Sequence, residues 1–439
     1  MTKKTIDTAP GKRLIVKNSV WLLIEKVILM GGGLLLSIVF ARLLGKDDFG
    51  RYNYVLSFVA LLAPVFALGM YNVLLREFSK HPDKISDILR TCLTSRLMSG
   101  AVVMVIAVIS LYGVFGMGWK FELIGLLLFS HIFNAFEVFA RWFVHKSLNP
   151  VLVKWRVANF VLFALIKLWV IWQYTNFSLL IGVMAVEVLV KNSGYHYLYQ
   201  RYREVSGNGR FQLDLFKDIF SQSKFLILSS LASVIYLKID ILMLESMVSI
   251  EEVGVYSVAA QLSQVWYVLP QVAITAFFPK LLAIAKDQPK RYDSILQKGF
   301  DILFICALIL SLLVFLVSLW IVEILYGQAY AEAAQILRLH IFASCFIYMR
   351  ALLSQWLVSE RFAQFSLISQ VSGAVANVLL NLWLIPLYGA WGAAVATVIS
   401  YAVTSYFCLF FFKRTRKLGF MMTKAMVFPL RLRAVFKRV

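Results

Sequence analysis

Long apolar runs, separated by short polar segments, recur along the whole chain. Many of them reach or exceed the roughly 18 residues that an α-helix needs to cross a bilayer. The pattern therefore predicts twelve membrane-spanning helices. Their predicted bounds are 17–41, 52–75, 97–117, 121–141, 152–173, 177–199, 225–247, 255–278, 301–325, 334–358, 364–386 and 390–412.

Lysine and arginine are concentrated on one side of these helices. With the N-terminus inside, the predicted outward loops hold only about five of the 44 Lys and Arg residues. The positive-inside rule then places both termini in the cytoplasm. The basic start "MTKKTIDTAPGKRLIVK" contains no small-residue cleavage site, so it is predicted to lead into an uncleaved first span.

The composition agrees with this prediction. The chain is 61% hydrophobic and 15% charged, and its mean hydropathy is +0.78. A soluble protein of 439 residues needs more polar surface, so an integral membrane protein is indicated. The formal net charge of +21 fits cationic loops beside anionic headgroups better than a nucleic-acid site. The four cysteines are far apart, which predicts neither a metal site nor a disulfide framework.

The two halves of the chain look related. The segment "LLGKDDFGRYNY" follows span 1 and "SMVSIEEVGVYSVAA" follows span 7, with Gly50 matching Gly254. "KLWVI" in span 5 similarly matches "NLWLI" in span 11. Matches at similar offsets, in the same order, indicate two lobes in the same orientation with the substrate path between them.

The predicted fold is therefore an all-α integral membrane protein, with about twelve transmembrane helices in two six-helix lobes around a central cavity. The lobes are predicted at 1–210 and 211–413, and the segment 201–224 with its "SGNGR" turn signal is the predicted linker. The remainder, 414–439, is a basic cytoplasmic tail. Cations alternate with apolar residues in it, as in segments that lie at a membrane surface.

Some charges inside the spans have a partner four residues away. Glu187 precedes Lys191, and Glu137 precedes Arg141, so each pair can neutralise itself along one helix face. Asn134 shares the face of the second pair. The polar stripe of span 4 is therefore expected to face protein or water and not lipid.

Other cations have no acid on their own helix face. They are Lys26, Lys167, Lys238 and Arg350. Lys26 has only its neighbour Glu25, which a helix turns about 100° away. Either acids from other helices neutralise these cations, or they line a hydrated cavity for an anion. For Lys26 and Lys167 the alternative is that the side chain extends to the headgroup region.

Asp240 lies two residues from Lys238, on nearly the opposite side of span 7. One of the two is expected to face the cavity, while the other braces a neighbouring helix or takes a coupling ion. A structural salt bridge is the alternative for the aspartate. Pro64 and Pro270 fall in equivalent spans, where they act as gate hinges or as static kinks.

Three segments carry a resemblance to a known family: "IVFARLLGKDDFGRYNY", "LKIDILML…EEVGVYSVAAQL…VLPQVAITAFFPKL" and "NVLLNLWLIPLYGAWGAAVATVISY". With them the chain resembles the Wzx-type polysaccharide repeat-unit flippases for O-antigen and capsule. These belong to the multidrug/oligosaccharidyl-lipid/polysaccharide exporter superfamily. The resemblance runs from about residue 14 to residue 412.

The resemblance implies a transporter and not an enzyme. It would flip an undecaprenyl-pyrophosphate-linked oligosaccharide across the bacterial cytoplasmic (inner) membrane by alternating access, for O-antigen or lipopolysaccharide biosynthesis. Arg42, Asp240 and Asn381 match recurrent polar positions of the family. The candidate residues are then Lys26, Lys167, Lys238, Arg350 and Arg42 for the pyrophosphate, Asp240 and Glu25 for coupling or helix bracing, Asn134, Glu137 and Asn381 for a polar cavity stripe, and Pro64 and Pro270 as hinges.

No cofactor, metal or nucleic acid is expected, and a proton or a sodium ion is the candidate coupling ion. The expected partners are the lipid-linked oligosaccharide, membrane lipids, and a polysaccharide polymerase with its chain-length machinery. A multidrug/cation antiporter is the nearest alternative, but it should favour interior acids. A membrane polymerase or ligase acting on lipid-linked sugars is another, although such enzymes typically carry a large outward loop that is missing from the predicted topology.

Overall fold

The computed structural model describes residues 12–203, 209–360 and 362–428. The start of the basic N-terminal lead, part of the predicted linker, Arg361 and the end of the tail lie outside these ranges. Within them the regular structure is helical, with short 3₁₀ segments and no β-strand. The α-helices described are α1 (Lys12–Ala67), α2 (Tyr71–Lys80), α3 (Ile85–Phe115), α4 (Trp119–Ile132), α5 (Glu137–His145), α6 (Asn149–Tyr174), α7 (Phe177–Tyr202), α8 (Leu213–Met247), α9 (Ile250–Gln264), α10 (Val268–Asp287), α11 (Pro289–Tyr326), α12 (Glu332–His340), α13 (Ala343–Ser359), α14 (Ala363–Ser405) and α15 (Lys413–Met426).

Two long helices, α1 and α14, are each broken at a glycine. The backbone has φ 74° at Gly45 and φ 55° at Gly389. Glycine adopts such positive φ values readily because it has no Cβ atom. Each break falls between two predicted spans, so each of these helices supplies two membrane crossings.

The twelve predicted crossings are confirmed. Eight helices of the described chain are long and apolar enough to span a membrane, and the breaks at Gly45 and Gly389 divide two of them. α6 and the α9–α10 pair occupy the places predicted for spans 5 and 8. The protein is therefore a multi-pass, all-α membrane protein.

Several helices extend beyond the predicted spans. α3, α8 and α11 begin at Ile85, Leu213 and Pro289, about three turns before the predicted starts. The added turns carry charged residues, which hydropathy assigns to loops although many of them are good helix formers. Much of the predicted inward loops is therefore helical.

Several predicted spans are interrupted instead of continuous. A 3₁₀ segment, Phe133–Phe136, separates α4 from α5, and a turn separates α12 from α13. A 3₁₀ helix has three residues per turn in place of 3.6. Side chains on its two sides therefore do not form the straight polar stripe predicted for span 4.

The chain divides into two compact units. Unit 1 comprises the residues up to Val39 and Leu62–Ile227, and unit 2 comprises Phe40–Leu61 and the residues from Leu228 onward. Each unit has a buried apolar cluster, around Phe143 in unit 1 and Phe300 in unit 2. The predicted lobe bounds stay a prediction.

The internal repeat is visible in the packing within unit 2. A Cβ atom placed on Gly50 would strike the carbonyl oxygen of Ile250, and one placed on Gly254 would strike the carbonyl oxygen of Lys46. Positions 46 and 250 have the same sequence separation as positions 50 and 254. The two segments therefore pack on each other in equivalent ways, as an internal repeat requires.

The basic segment after the last span folds back onto unit 2. α15 buries Leu418 and Met422 in the core of that unit. Its Lys417 pairs with Asp293 at 2.5 Å. Protein therefore covers the apolar face of α15, and the interfacial location of the tail stays a prediction; residues 429–439 lie outside the described chain.

The close contact at Gly50 predicts a stability effect. Gly50→Leu should lower the unfolding temperature in detergent, because the carbonyl oxygen it meets is backbone and cannot move aside; overpacking of this kind costs about 1–3 kcal/mol. Gly113→Ala is the matched control, since a Cβ atom placed on Gly113 meets no other atom within 4 Å. Equal unfolding temperatures for Gly50→Leu and the wild-type chain would contradict the assigned packing.

Candidate functional site

A polar cavity of about 360 Å³ lies within unit 1, among α1, α5, α6 and α7. Three glutamates and two basic residues contribute to its wall. The lining residues are Glu25, Leu29, Glu137, Arg156, Asn159, Phe160, Glu187, Lys191 and Tyr195.

Helical spacing brings these side chains to one place. On α7, Glu187, Lys191 and Tyr195 follow one another at intervals of four residues and share a face. On α6, Arg156 and Phe160 are spaced in the same way. α1 completes the wall with Glu25 and Leu29.

Arg156 is the central cation of the cavity wall. Its Nη1 donates to Glu25 Oε1 at 3.0 Å, and its Nε donates to the Tyr195 hydroxyl at 2.8 Å. Glu25 is buried, whereas Arg156 is partly exposed to the cavity. The guanidinium is thereby fixed by α1 and α7, two helices other than its own.

Two further ion-pair systems flank the cavity. Buried Lys167 on α6 donates to Glu187 on α7 at 2.8 Å. Glu137 lies 3.6 Å from Arg96 of α3 and 4.0 Å from Lys191 of α7. Each of these carboxylates pairs with a cation from another helix.

The predicted pairings along single helices are therefore wrong. Glu187 pairs with Lys167 and not with Lys191, and Arg141 places its guanidinium over the ring of Tyr71 instead of pairing with Glu137. Of the three explanations offered for Lys167, neutralisation by an acid from a neighbouring helix is the one observed. Sequence spacing misses such pairs because their partners are distant along the chain.

Positive charge is in slight excess when the cavity lining is counted together with the cations paired to it from behind, although the lining alone holds three glutamates and two cations. Four cations meet three glutamates, which gives a formal net charge of +1 when all are ionised. The cations are Arg96, Arg156, Lys167 and Lys191, and the glutamates are Glu25, Glu137 and Glu187.

Neutral polar groups complete the interior of unit 1. Asn134 accepts a hydrogen bond from Asn192 at 2.8 Å and does not line the cavity. The side-chain oxygen of Asn159 is buried and has no hydrogen-bond donor among the described residues. A buried acceptor of this kind is commonly satisfied by water or a ligand.

The remaining predicted residues lie away from this cavity. Lys26 is exposed on α1, beside the exposed Leu23 and Val27. Arg42, in unit 2, donates from Nε to the carbonyl oxygen of Leu325 at 2.7 Å and from Nη2 to that of Ile324. It therefore caps the C-terminal carbonyls of α11.

The other two predicted cations are in unit 2. Arg350 donates to the carbonyl oxygen of Thr404 at 2.9 Å and to the Ser369 hydroxyl at 3.1 Å, both on α14. Lys238 is half-buried and has no hydrogen bond or ion pair with another described residue. Neither cation has an acid within ion-pair distance in the described chain.

Asp240 is buried in unit 2 and is held by hydroxyl groups. It accepts hydrogen bonds from Tyr256 on α9 and, at 3.2 Å, from Thr397 on α14. Asn381 donates to Asn377 one turn earlier at 3.1 Å. No salt bridge to Lys238 forms, as their positions on the helix predict.

The two prolines occupy different helical positions. Pro64 lies inside α1 near its C-terminal end. Pro270 lies in the first turn of α10, directly after the 3₁₀ segment Val265–Tyr267, where the missing N–H is tolerated. Their role as hinges stays a prediction.

The sequence alone missed Arg156 and Tyr195. Arg156 falls near the start of predicted span 5, close to the inward side where cations are expected, so hydropathy gives no reason to single it out. It lies eleven residues before Lys167, which is close to three helical turns. That spacing was the available signal that both cations belong to one helix face.

Two family models match the chain. The model described as "Polysaccharide biosynthesis protein" matches residues 15–285, and the model described as "MatE" matches residues 226–383. Among curated proteins, the capsular polysaccharide biosynthesis protein CapF of Staphylococcus aureus is 24% identical over 429 residues, covering 91% of this chain and 100% of that protein.

The probable low-salt glycan biosynthesis flippase Agl15 of Haloferax volcanii is 23% identical over 192 residues, covering 43% of this chain and 40% of that protein. Among solved structures, the lipid II flippase MurJ in an inward closed conformation superposes with a TM-score of 0.74 at 13% identity, covering 94% of this chain and 91% of that one. Identity this low shows a shared fold alone.

The ion pair between Lys167 and Glu187 predicts that substitutions of the two residues have strongly non-additive effects on the free energy of unfolding. Lys167→Met should destabilise the chain by about 3 kcal/mol, because it leaves the Glu187 carboxylate without its counter-ion. The double variant Lys167→Met/Glu187→Gln should recover most of this loss. Thermal unfolding of both variants measures the coupling, and additive effects of the two substitutions would contradict it.

Proposed function

Because the chain belongs to the polysaccharide biosynthesis protein family, we propose that it is a flippase that moves a lipid-linked oligosaccharide across a membrane. The names of the relatives support this substrate class, since one acts in capsular polysaccharide biosynthesis and another is a probable glycan flippase. Such a step makes and breaks no covalent bond, so the proposed protein is a transporter and not an enzyme.

The observation that carries the proposal is the cavity of unit 1, where Arg156 and Lys191 lie among three paired glutamates. Arg156 lines it with a guanidinium whose planar donors suit phosphate oxygens, and Lys191 adds an ammonium group. A lipid-linked sugar joined through phosphate needs such a partner once it leaves the headgroup region. The buried acceptor of Asn159 and the hydroxyl of Tyr195 offer contacts to sugar hydroxyl groups.

The mechanism we propose is alternating access, in which the substrate path opens first to one side of the membrane and then to the other. The lipid tail stays in the bilayer while phosphate and sugars cross in a hydrated space. Pro64 and Pro270 are the proposed hinge positions.

Three residues of unit 2 remain candidates for contact with the anionic substrate. Lys238 is the strongest, because it has no ion pair in the described chain. Among the described residues, Arg350 is bound only by neutral acceptors, which do not compensate its charge. Arg42 is the weakest, since two carbonyl groups already occupy its donors.

We further propose undecaprenyl pyrophosphate as the lipid carrier, and the bacterial inner membrane as the location with both termini in the cytoplasm. The concentration of Lys and Arg on one predicted side supports this orientation. A proton or a sodium ion is the proposed coupling ion. A polysaccharide polymerase and its chain-length machinery are the proposed partners.

A multidrug/cation antiporter is the second candidate, and the match of residues 226–383 to the MatE model favours it. The cavity argues against it, because each of its three glutamates is already paired with a cation. A drug-resistance phenotype without any polysaccharide defect on deletion would favour the antiporter over the flippase.

Arg156 provides the direct test of the flippase. Arg156→Gln should reduce translocation of a lipid-linked oligosaccharide in proteoliposomes at least about tenfold, because a buried charged hydrogen bond to the substrate contributes roughly 1.5–3 kcal/mol. Surface polysaccharide in a complemented deletion strain should fall in parallel. Membrane expression is measured alongside.

Lys154→Gln is the matched control for this experiment. Lys154 lies on the same helix two residues earlier, is exposed and does not line the cavity. Its substitution should leave translocation unchanged. Full translocation by well-expressed Arg156→Gln would reject the cavity as the substrate site.

Substitution of Asp240 distinguishes a role in bracing neighbouring helices from a role in binding the coupling ion. We expect Asp240→Asn to lower the unfolding temperature, because it weakens the hydrogen bonds to Tyr256 and Thr397, while translocation keeps its dependence on the ion gradient. Thr397→Val, which removes one of these bonds and no titratable group, should behave alike. Loss of gradient dependence in Asp240→Asn alone would instead assign coupling to Asp240.

A further inference from the structure

We propose that Glu25 is an internal stand-in for the substrate phosphate: the phosphate replaces the Glu25 carboxylate on Arg156, and the released carboxyl group binds a proton. The inference rests on the proposed function, because it concerns how the same cavity receives its anionic substrate. In this binding step Glu25 leaves Arg156 and takes up one proton.

The Glu25 carboxylate and the substrate phosphate would compete for the same donors of Arg156. Glu25 Oε1 lies 3.0 Å from Nη1 of Arg156, and both residues line the cavity. Carboxylate and phosphate oxygens accept from a guanidinium in the same way. Tyr195 holds the Nε edge of the guanidinium at 2.8 Å, so the outer donors that Glu25 uses are those that an incoming phosphate would need.

Among the described residues, Glu25 has one cation partner, Arg156, and this partner lines the cavity. The other two cavity glutamates each have a cation partner that does not line it. Glu187 pairs with Lys167, which is buried and does not line the cavity. Glu137 has two cations, one of which, Arg96, is buried behind the wall. A ligand that binds Arg156 therefore deprives Glu25 of its partner and leaves the other two pairs in place.

Once the phosphate occupies Arg156, charge balance in the cavity requires the displaced Glu25 carboxylate to bind a proton. The cluster has a formal charge of +1, and the diphosphate diester of the proposed substrate adds about two negative charges, one on each phosphate. A buried carboxylate without a counter-ion is costly, and such a group binds a proton instead. The charged or titratable groups that line the cavity with Glu25 are Arg156 of α6, Glu137 of α5, and Glu187, Lys191 and Tyr195 of α7.

The direction of the pH effect follows from this exchange. Binding that takes up a proton becomes stronger as the pH falls and weaker as it rises. When the substrate leaves, the pair between Glu25 and Arg156 forms again and the proton is released. Between transport cycles the guanidinium of Arg156 therefore keeps a counter-ion, the carboxylate of Glu25.

The test uses the purified full chain in lipid nanodiscs with a short-chain prenyl diphosphate disaccharide as probe, because its diphosphate diester does not titrate near neutral pH. Calorimetry in two buffers of different ionisation enthalpy counts the protons bound with it. The wild-type chain should take up about one proton per probe, with affinity falling as the pH rises.

Glu25→Gln should bind the probe about tenfold more tightly above neutral pH and take up no proton, because glutamine is not an anionic competitor. Glu122→Gln is the matched control, since Glu122 is an exposed acid of α4 outside the cavity. It should match the wild-type chain in both measurements.

The possible failures are distinguishable. If the wild-type chain binds the probe through Arg156 but takes up no proton, or if Glu25→Gln binds no more tightly than the wild-type chain, the role of Glu25 is overturned and the flippase proposal stands. If the folded wild-type chain does not bind the probe at all, the proposed function fails, and this inference fails with it. The proton count needs no variant, so instability of Glu25→Gln cannot obscure the result.

Discussion

An ionised side chain inside a membrane-spanning helix bundle must meet a counter-charge, a hydrogen-bond partner or water. In unit 1 this constraint is met by ion pairs between helices. Arg156 joins α6 to α1 through Glu25, and Lys167 joins α6 to α7 through Glu187. The cavity lies where these pairs converge, so the interactions that allow charges into the bundle also create a site that can exchange one anion for another.

In unit 2, two charges inside the membrane helices, those of Asp240 and Arg350, meet the same constraint through neutral partners. Asp240 is surrounded by the hydroxyl groups of Tyr256 and Thr397, while Arg350 binds a carbonyl oxygen and a hydroxyl of α14. Neutral partners fix a charge in place but do not compensate it. Under the proposed exchange, the ion pair of Arg156 in unit 1 changes partner during binding, whereas the contacts of Asp240 and Arg350 in unit 2 involve no charge that could be exchanged.

The sequence predicts what depends on residues close together along the chain. Hydropathy located the twelve crossings, and the recurrence of Gly50 at Gly254 indicated a repeat that the packing of these glycines supports. It could not predict ion pairs whose partners belong to different helices, such as Glu25 with Arg156. Any cation of a span can in principle pair with any acid, and only tertiary packing selects among them. Spacing within a helix instead suggested local pairs that the structure does not form.

The size of the cavity limits what it can recognise. A volume of about 360 Å³ is at the lower end of pockets that hold a small molecule, and it cannot enclose an oligosaccharide together with its lipid. Its most specific groups are the guanidinium of Arg156 and the ammonium of Lys191, which select for negative charge and not for the identity of a sugar. The part of a lipid-linked oligosaccharide that fits this chemistry is the phosphate linkage. In the proposed mechanism, recognition of the linkage allows sugars of different composition to follow the same path, and the decisive energetic step of transport is the exchange of one anion for another on Arg156.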